Sequence, residues 1–398
     1  MGNIRILLAG FILLCIAVGS SRAVNDGRSK LHSDAIVIDM HNDVVQRMMQ
    51  GEDIARATTH GHSDIPRFIA GGVDAEFFSI WVPPQNSQHS YYKQANAQID
   101  TIESFVRKNS KSVGIAKTVQ DAEQLISRGK FVIMLGLEGG HPTENDTNKL
   151  KHFFKRGVKY MTLTWNNSTT WATSASDEEG KLKNSTKKGL SSFGMQVVNM
   201  MNRIGMIVDV SHVGETTFWD VMKVTTKPVI ASHSSVWSLC KNRRNLKDDQ
   251  IRAIARNGGV VCINFAPQFL DSTFSEKEKR MLDRQKSQLD SLKLRYANDD
   301  HVKDSIISEF LKKKYESIRP PLSVLIDHFD YVAKLVGTDH VGIGSDFDGI
   351  GLTPRGMDDV SFLPALTGEL VKRGYSDNDI KKILGGNILR VLHDVDVN

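Results

Sequence analysis

Cysteine is scarce. The chain of 398 residues carries three, Cys15, Cys240 and Cys262, too few for the disulfide framework that stabilises small exported scaffolds. Stability therefore has to come from an apolar core. A Cys240–Cys262 bridge stays open as an alternative, but the run Val260-Val261-Cys262-Ile263 has the composition of a buried strand, which favours a free thiol. Charge of one sign is also missing: the formal net charge is +5, with no Lys/Arg cluster or aromatic-interleaved basic stripe. That excludes nucleic acid as an expected partner. No internal repeat or low-complexity linker interrupts the chain, so a single domain is expected.

Long hydrophobic runs are absent apart from Ile6–Val18, which follows Arg5 and precedes Ser21-Arg22-Ala23. One charge, a short apolar run and small residues at the cleavage-relevant positions describe an export signal over residues 1–23. Cleavage after Ala23 would remove Arg5 and Arg22 and leave +3. The run is too short for a comfortable membrane span, and the terminus Leu392–Asn398 has no apolar tail of the kind a lipid-anchor signal needs. The expectation is an exported protein, periplasmic or extracellular, with no stable membrane insertion once the signal is gone.

What is present is a rhythm. Short β-branched runs, Ala35–Met40, Ala75–Trp81, Phe131–Leu137, Lys159–Thr164, Met206–Val210, Val229–Ser232, Val260–Phe265 and His340–Ser345, recur between longer stretches with helical periodicity, such as Tyr92–Lys108, Val119–Arg128, Leu190–Ile204, Glu215–Val224 and Asp248–Arg256. Eight strands separated by helices are what a closed (β/α)8 barrel, an α/β TIM barrel, requires. The interval 276–319 breaks the rhythm. It is rich in Lys, Arg, Asp and Glu and stops at Pro320-Pro321, which predicts a helical insertion after the seventh strand. A solvated arm on the barrel rim is the plain reading, with a lid or a homodimer contact left open.

The acids and histidines fall where those strands end: Asp39-Met40-His41-Asn42-Asp43, Glu138-Gly139-Gly140-His141, Asp209-Val210-Ser211-His212, Ser232-His233 and Ser345-Asp346-Phe347-Asp348. C-terminal strand ends of such a barrel converge on one mouth, so His41, Asp43, Glu138, His212, His233 and Asp346 should face one another. Burying that many ionisable groups together without a cation is costly. Imidazoles and carboxylates with an open position suit zinc. Glu138, central and with two oxygens, is expected to bridge two Zn2+ ions: His41, Asp43 and Glu138 on one, Glu138, His212 and His233 on the other. Two ions sharing a water lower its pKa to about 7, which makes a nucleophile at neutral pH. Asp346, uncommitted to metal, is placed to shuttle the proton. His60 and His62 lie in a loop outside any strand end and read as polar mouth residues, whereas His141 has the spacing to orient a carboxylate.

On these segments, together with Ser232-His233-Ser234-Ser235 and Arg243-Arg244-Asn245, the chain resembles the membrane dipeptidase (renal dipeptidase) family of the metal-dependent amidohydrolase superfamily. The match runs in order from about residue 30 to 393. The resemblance implies a binuclear zinc metallopeptidase that hydrolyses dipeptides with a free C-terminal carboxylate. It also implies that Arg244 holds that carboxylate, a task for which a planar guanidinium is suited. One departure stands out. Where the family commonly carries Leu-Thr-His after the fourth strand, this chain reads Leu163-Thr164-Trp165-Asn166-Asn167. An indole donates a single N–H and carries no charge, so Asn166 and Asn167 are the candidates to replace the missing carbonyl donor. The departure keeps two alternatives in view: a related hydrolase acting on N-acyl amino acids or lactones, and a non-catalytic peptide-binding protein on the same scaffold.

Overall fold

The computed structural model describes residues 27–84, 89–182, 188–297 and 300–396. The expected export signal at residues 1–23 lies outside the described residues. Nine strands are present among the described residues: β1 (Ile38–Asn42), β2 (Ala75–Trp81), β3 (Val113–Ile115), β4 (Phe131–Glu138), β5 (Val158–Thr162), β6 (Ile207–Asp209), β7 (Ile230–Ser234), β8 (Val260–Ile263) and β9 (Val341–Ile343). Eight of them, all but β3, pair in parallel around a closed ring, with β1 beside both β2 and β9, and β2 beside β4. This is the (β/α)8 barrel. The short β3 extends the start of β4, with Val113 opposite Phe131; three residues, one of them Gly114, are too few to show a period in the sequence.

Alternation along the strands separates two apolar layers. Ala75 and Phe77 of β2, Val132 and Met134 of β4, and Tyr160 of β5 belong to one cluster, while Phe78, Ile80, Ile133, Leu135 and Met161 belong to another. The first fills the barrel and the second packs under the helices. Because both faces are covered, the strands read as nearly continuous apolar runs rather than as alternating ones. The C-terminal helix Asn387–Val395 adds Ile388, Val391, Leu392 and Val395 to the inner cluster and closes the N-terminal end of the barrel, leaving the other end open for chemistry.

Between β8 and β9 the helices Phe274–Arg295 and Asp300–Ile318 pack on each other. Arg319 ties their base to the loop after β9, donating to the Thr353 carbonyl at 2.7 Å and the Pro354 carbonyl at 2.8 Å. Cys240 and Cys262 are both free and buried. Among the described residues no helix is long and apolar enough to cross a membrane.

Candidate metal centre

The β1 ending carries His41, fully buried, and Asp43; β4 ends at Glu138; His212 follows β6, His233 lies in β7 and Asp346 follows β9. These six side chains, from five strand ends, meet at the C-terminal mouth of the barrel. His41 Nε2 is 3.4 Å from Asp43 Oδ2 and 3.6 Å from Glu138 Oε2. His212 Nε2 and His233 Nε2 lie 3.1 and 3.6 Å from Glu138 Oε1. Ligand atoms of His41, Glu138 and His233 lie within 4.8 Å of one another, as do those of His41, Asp43 and Asp346. Asp346 is therefore as close to His41 and Asp43 as a ligand would be, a proximity that strand order alone does not reveal.

Hydrogen bonds on the far side of each imidazole decide which nitrogen faces the centre. His41 Nδ1 meets the Tyr160 hydroxyl at 2.8 Å, and that hydroxyl donates to the Met40 carbonyl at 3.0 Å. Burial pushes the Tyr160 phenol up, so its proton stays on and its lone pair receives the His41 N–H. Burial lowers His41 itself, but Tyr160, Glu138 and Asp43 raise it well above the usual value, so Nε2 is the position for which a cation would compete with a proton. Gly136 makes this possible: a Cβ there would stand 2.1 Å from the Tyr160 ring. His212 Nδ1 meets Asn166 Oδ1 at 3.1 Å and His233 Nδ1 meets Ser232 Oγ at 2.8 Å. All three rings thus turn Nε2 toward Glu138.

That arrangement fits a cation. His41 Nε2 is buried without a hydrogen-bond partner, and the Nε2 atoms of His212 and His233 stand 2.9 Å apart, two lone pairs facing each other. Two ligands on a tetrahedral zinc, each about 2.0–2.1 Å away, lie about 3.3 Å apart, inside the spread of distances observed here. Burial, with Arg244 adding to it, pulls His212 down to about 4, and burial with His41 pulls His233 well below the usual value. Both are then the neutral imidazoles that metals bind. Burial alone would raise Glu138, but the neighbouring His41 and His212 hold it well below the usual carboxylate range. Burial, reinforced by Asp43 and Glu138, pushes Asp346 up to about 7, although His41 opposes this. Asn264, which nothing in the sequence marked, donates to Asp346 Oδ2 at 2.8 Å.

Two of these residues are held in the left-handed region, His212 and Asp346, both at φ 64°. Non-glycine residues adopt it at a cost of order 1–3 kcal/mol, and such strain collects at working sites.

A cavity of about 350 Å³ opens over the centre, lined by Asp43, Trp81, Glu138, Trp165, Asp346 and Arg244 among others. Arg244 is buried, donates to the His233 carbonyl at 3.1 Å and Ser234 Oγ at 3.4 Å, and lies over the Phe269 ring. Arg243 is exposed. A second cavity of about 570 Å³ continues past Arg244 and His212 toward Trp237. Trp165 sits on the wall with its ring 5.1 Å from Trp81 and 6.3 Å from His212. The expectation for one of the two asparagines needs correction. Asn166 lines the cavity, and its contact with His212 is made through the amide oxygen, not through the NH2 that would donate to a carbonyl. Asn167 is not among the lining residues, and its amide donates to the Ser168 carbonyl at 3.4 Å. His141 turns Nε2 to the Val82 carbonyl at 2.9 Å and braces that loop instead of orienting Glu138. His62 Nδ1 accepts from the Asp348 N–H, and His60 is exposed.

Residues 26–398 match the family model of membrane dipeptidase (Peptidase family M19). The chain is similar to dipeptidase 3 of Mus musculus, 31% identical over 373 residues that make up 92% of this chain. Those residues span 66% of the mouse protein's length, just under two thirds. It is also similar to dipeptidase verJ of Clonostachys rogersoniana, 32% identical over 92% of this chain and 86% of that one. Among solved structures, the probable dipeptidase PvdM from Pseudomonas aeruginosa superposes with a TM-score of 0.75 at 28% identity, covering 93% of this chain and 97% of the other.

Proposed function

The chain belongs to the membrane dipeptidase family (Peptidase family M19), and on that premise we propose that it is an exported, zinc-dependent dipeptidase. The observation that carries the proposal is the common orientation of three imidazoles, each with Nδ1 engaged and Nε2 turned to Glu138. His41, Asp43, Glu138, His212 and His233 would hold two Zn2+ ions. Bound there, the ions would activate a water at neutral pH and polarise the scissile carbonyl.

The remaining work falls to the chain's own side chains. Arg244 presents its guanidinium where the cavity over the centre meets the second one and pairs with the C-terminal carboxylate of a dipeptide. That clamp fixes the peptide bond against the centre. Asp346, anchored by Asn264 through one oxygen, accepts the proton of the attacking water and hands it to the departing amine. Trp81 and Trp165 supply an apolar wall that excludes bulk water.

Metal analysis and a substrate panel test this together. Purified protein should carry about two zinc ions per chain and release amino acids from simple dipeptides, and Glu138→Gln should lose both metal and activity. Metal-loaded protein that leaves every dipeptide intact refutes the reading. A second reading, hydrolysis of N-acyl amino acids or lactones, is favoured by Trp165, which puts an indole where a charged carbonyl donor would otherwise stand. Higher turnover on those substrates than on dipeptides would establish it.

A further inference from the structure

We propose that Asp209 is a positioning residue that acts through Ser232 to fix the tautomer of His233; the inference rests on the metal reading above. Asp209 closes β6 and is fully buried. Its Oδ1 accepts from the backbone N–H groups of Ser211 at 3.0 Å and Ser232 at 2.8 Å. Its Oδ2 accepts from the hydroxyls of Thr162 at 2.5 Å and Ser232 at 2.6 Å. Two backbone N–H groups and two hydroxyls surround it, and it lies in no ion pair among the described residues.

The consequence follows from counting protons. Ser232 has one hydroxyl hydrogen and three neighbours that could take it, Asp209 Oδ2 at 2.6 Å, His233 Nδ1 at 2.8 Å and, farther off, Ser211 Oγ at 3.4 Å. The charged acceptor wins, because hydrogen bonds to an ionised group are roughly twice as strong as neutral ones. Ser232 can then only accept from His233, whose Nδ1 must carry the proton. A neutral imidazole has a single N–H, so Nε2 is bare and faces Glu138. Ser211 holds the same stretch of backbone by accepting from the His233 N–H at 3.0 Å.

The isosteric change Asp209→Asn reverses this relay. An amide can still accept the two backbone N–H groups through its oxygen, but its NH2 then points at Ser232. The hydroxyl then accepts from it and turns its own hydrogen to the nearer remaining acceptor, His233 Nδ1 at 2.8 Å rather than Ser211 Oγ at 3.4 Å. The imidazole proton moves to Nε2, where it blocks a ligand position. Thr162, another hydroxyl, can accept from the same amide, so the reversal creates no clash.

Cobalt(II) titration of metal-stripped protein, followed by visible absorption, reads this without any substrate. Wild-type protein should take up two equivalents. D209N should bind one of the two about 10–100-fold more weakly while keeping the other. S232T, which retains the hydroxyl, should match wild type, and S232A should lose less than D209N because it removes the relay without reversing it. Circular dichroism of the metal-free variants reports whether each has folded. D209N that binds both equivalents with wild-type affinity overturns the inference, and so does a larger loss in S232A than in D209N. If D209N does not fold, the S232T and S232A pair decides, and equal affinities overturn it. Wild-type protein that takes up no cobalt overturns the proposed function and this inference with it, whereas wild-type uptake with unchanged D209N overturns this inference alone.

Discussion

Acid should weaken this fold through one buried histidine outside the proposed metal centre. His328, in the helix Leu322–Val336, is 1% exposed. Its Nδ1 accepts from the Val236 N–H at 3.1 Å, and its Nε2 donates to the Leu270 carbonyl at 3.1 Å. Only the neutral ring can do both. Burial pushes it down to about 4, against the pull of the Leu270 carbonyl and Asp327, while in an unfolded chain it returns to about 6.5. The folded value is the lower one, so the unfolded state binds the extra proton between these limits. The stabilisation is complete above about pH 6.5 and is lost as the pH falls toward 4. Linkage puts the loss at about 2 kcal/mol at pH 5 and about 3 kcal/mol at pH 4. Urea unfolding of metal-free wild type and His328→Gln from pH 4 to pH 7.5 measures it. Other groups titrate alike in both proteins and cancel in the difference, so the gap between the two stabilities should shrink by about 3 kcal/mol toward acid. Parallel curves would refute the assignment. Val236 opens the segment that leads to Arg244, so the same protonation should loosen the carboxylate clamp.

Asp346→Asn should lower kcat by about 10²–10⁴ with metal content unchanged by elemental analysis; retained turnover would remove Asp346 from the proton path. Arg244→Lys should raise KM for dipeptides by roughly tenfold or more with a smaller effect on kcat, because a lysine cannot make the two-pronged carboxylate pair; steady-state kinetics separates the two parameters. The buried Lys159 ammonium meets Asp396 at 3.0 Å, so Asp396→Ala strands a charge and should cost about 3–5 kcal/mol in urea unfolding.

The barrel was legible in the sequence because a parallel strand covered on both faces concentrates apolar residues, and eight such runs are hard to imitate. The cluster at the mouth was legible because each of its side chains stands where a run stops. What escaped depends on neighbours across strands. Tyr160 reads as packing until β5 is set beside the mouth and its hydroxyl reaches His41. Asn264 and Asp209 look like ordinary strand-end polar residues until the ring brings Asp346 and Ser232 against them. Asn167 was expected to serve substrate and instead lies outside the cavity lining, since a residue's place after a strand says nothing about where its amide points. The left-handed turns at His212 and Asp346 also leave no trace in composition, as neither is glycine.

The seam between β1 and β9, where Asp39 lies opposite Ile343, joins the first strand of the chain to the last. His41 and Asp346 belong to opposite sides of that seam, some three hundred positions apart in synthesis. A chain made only as far as β8 already has all five proposed ligands but no closed ring to gather them. Cation capture is therefore a late event that certifies a finished ring, and a molecule clipped before β9 should come out empty rather than half loaded.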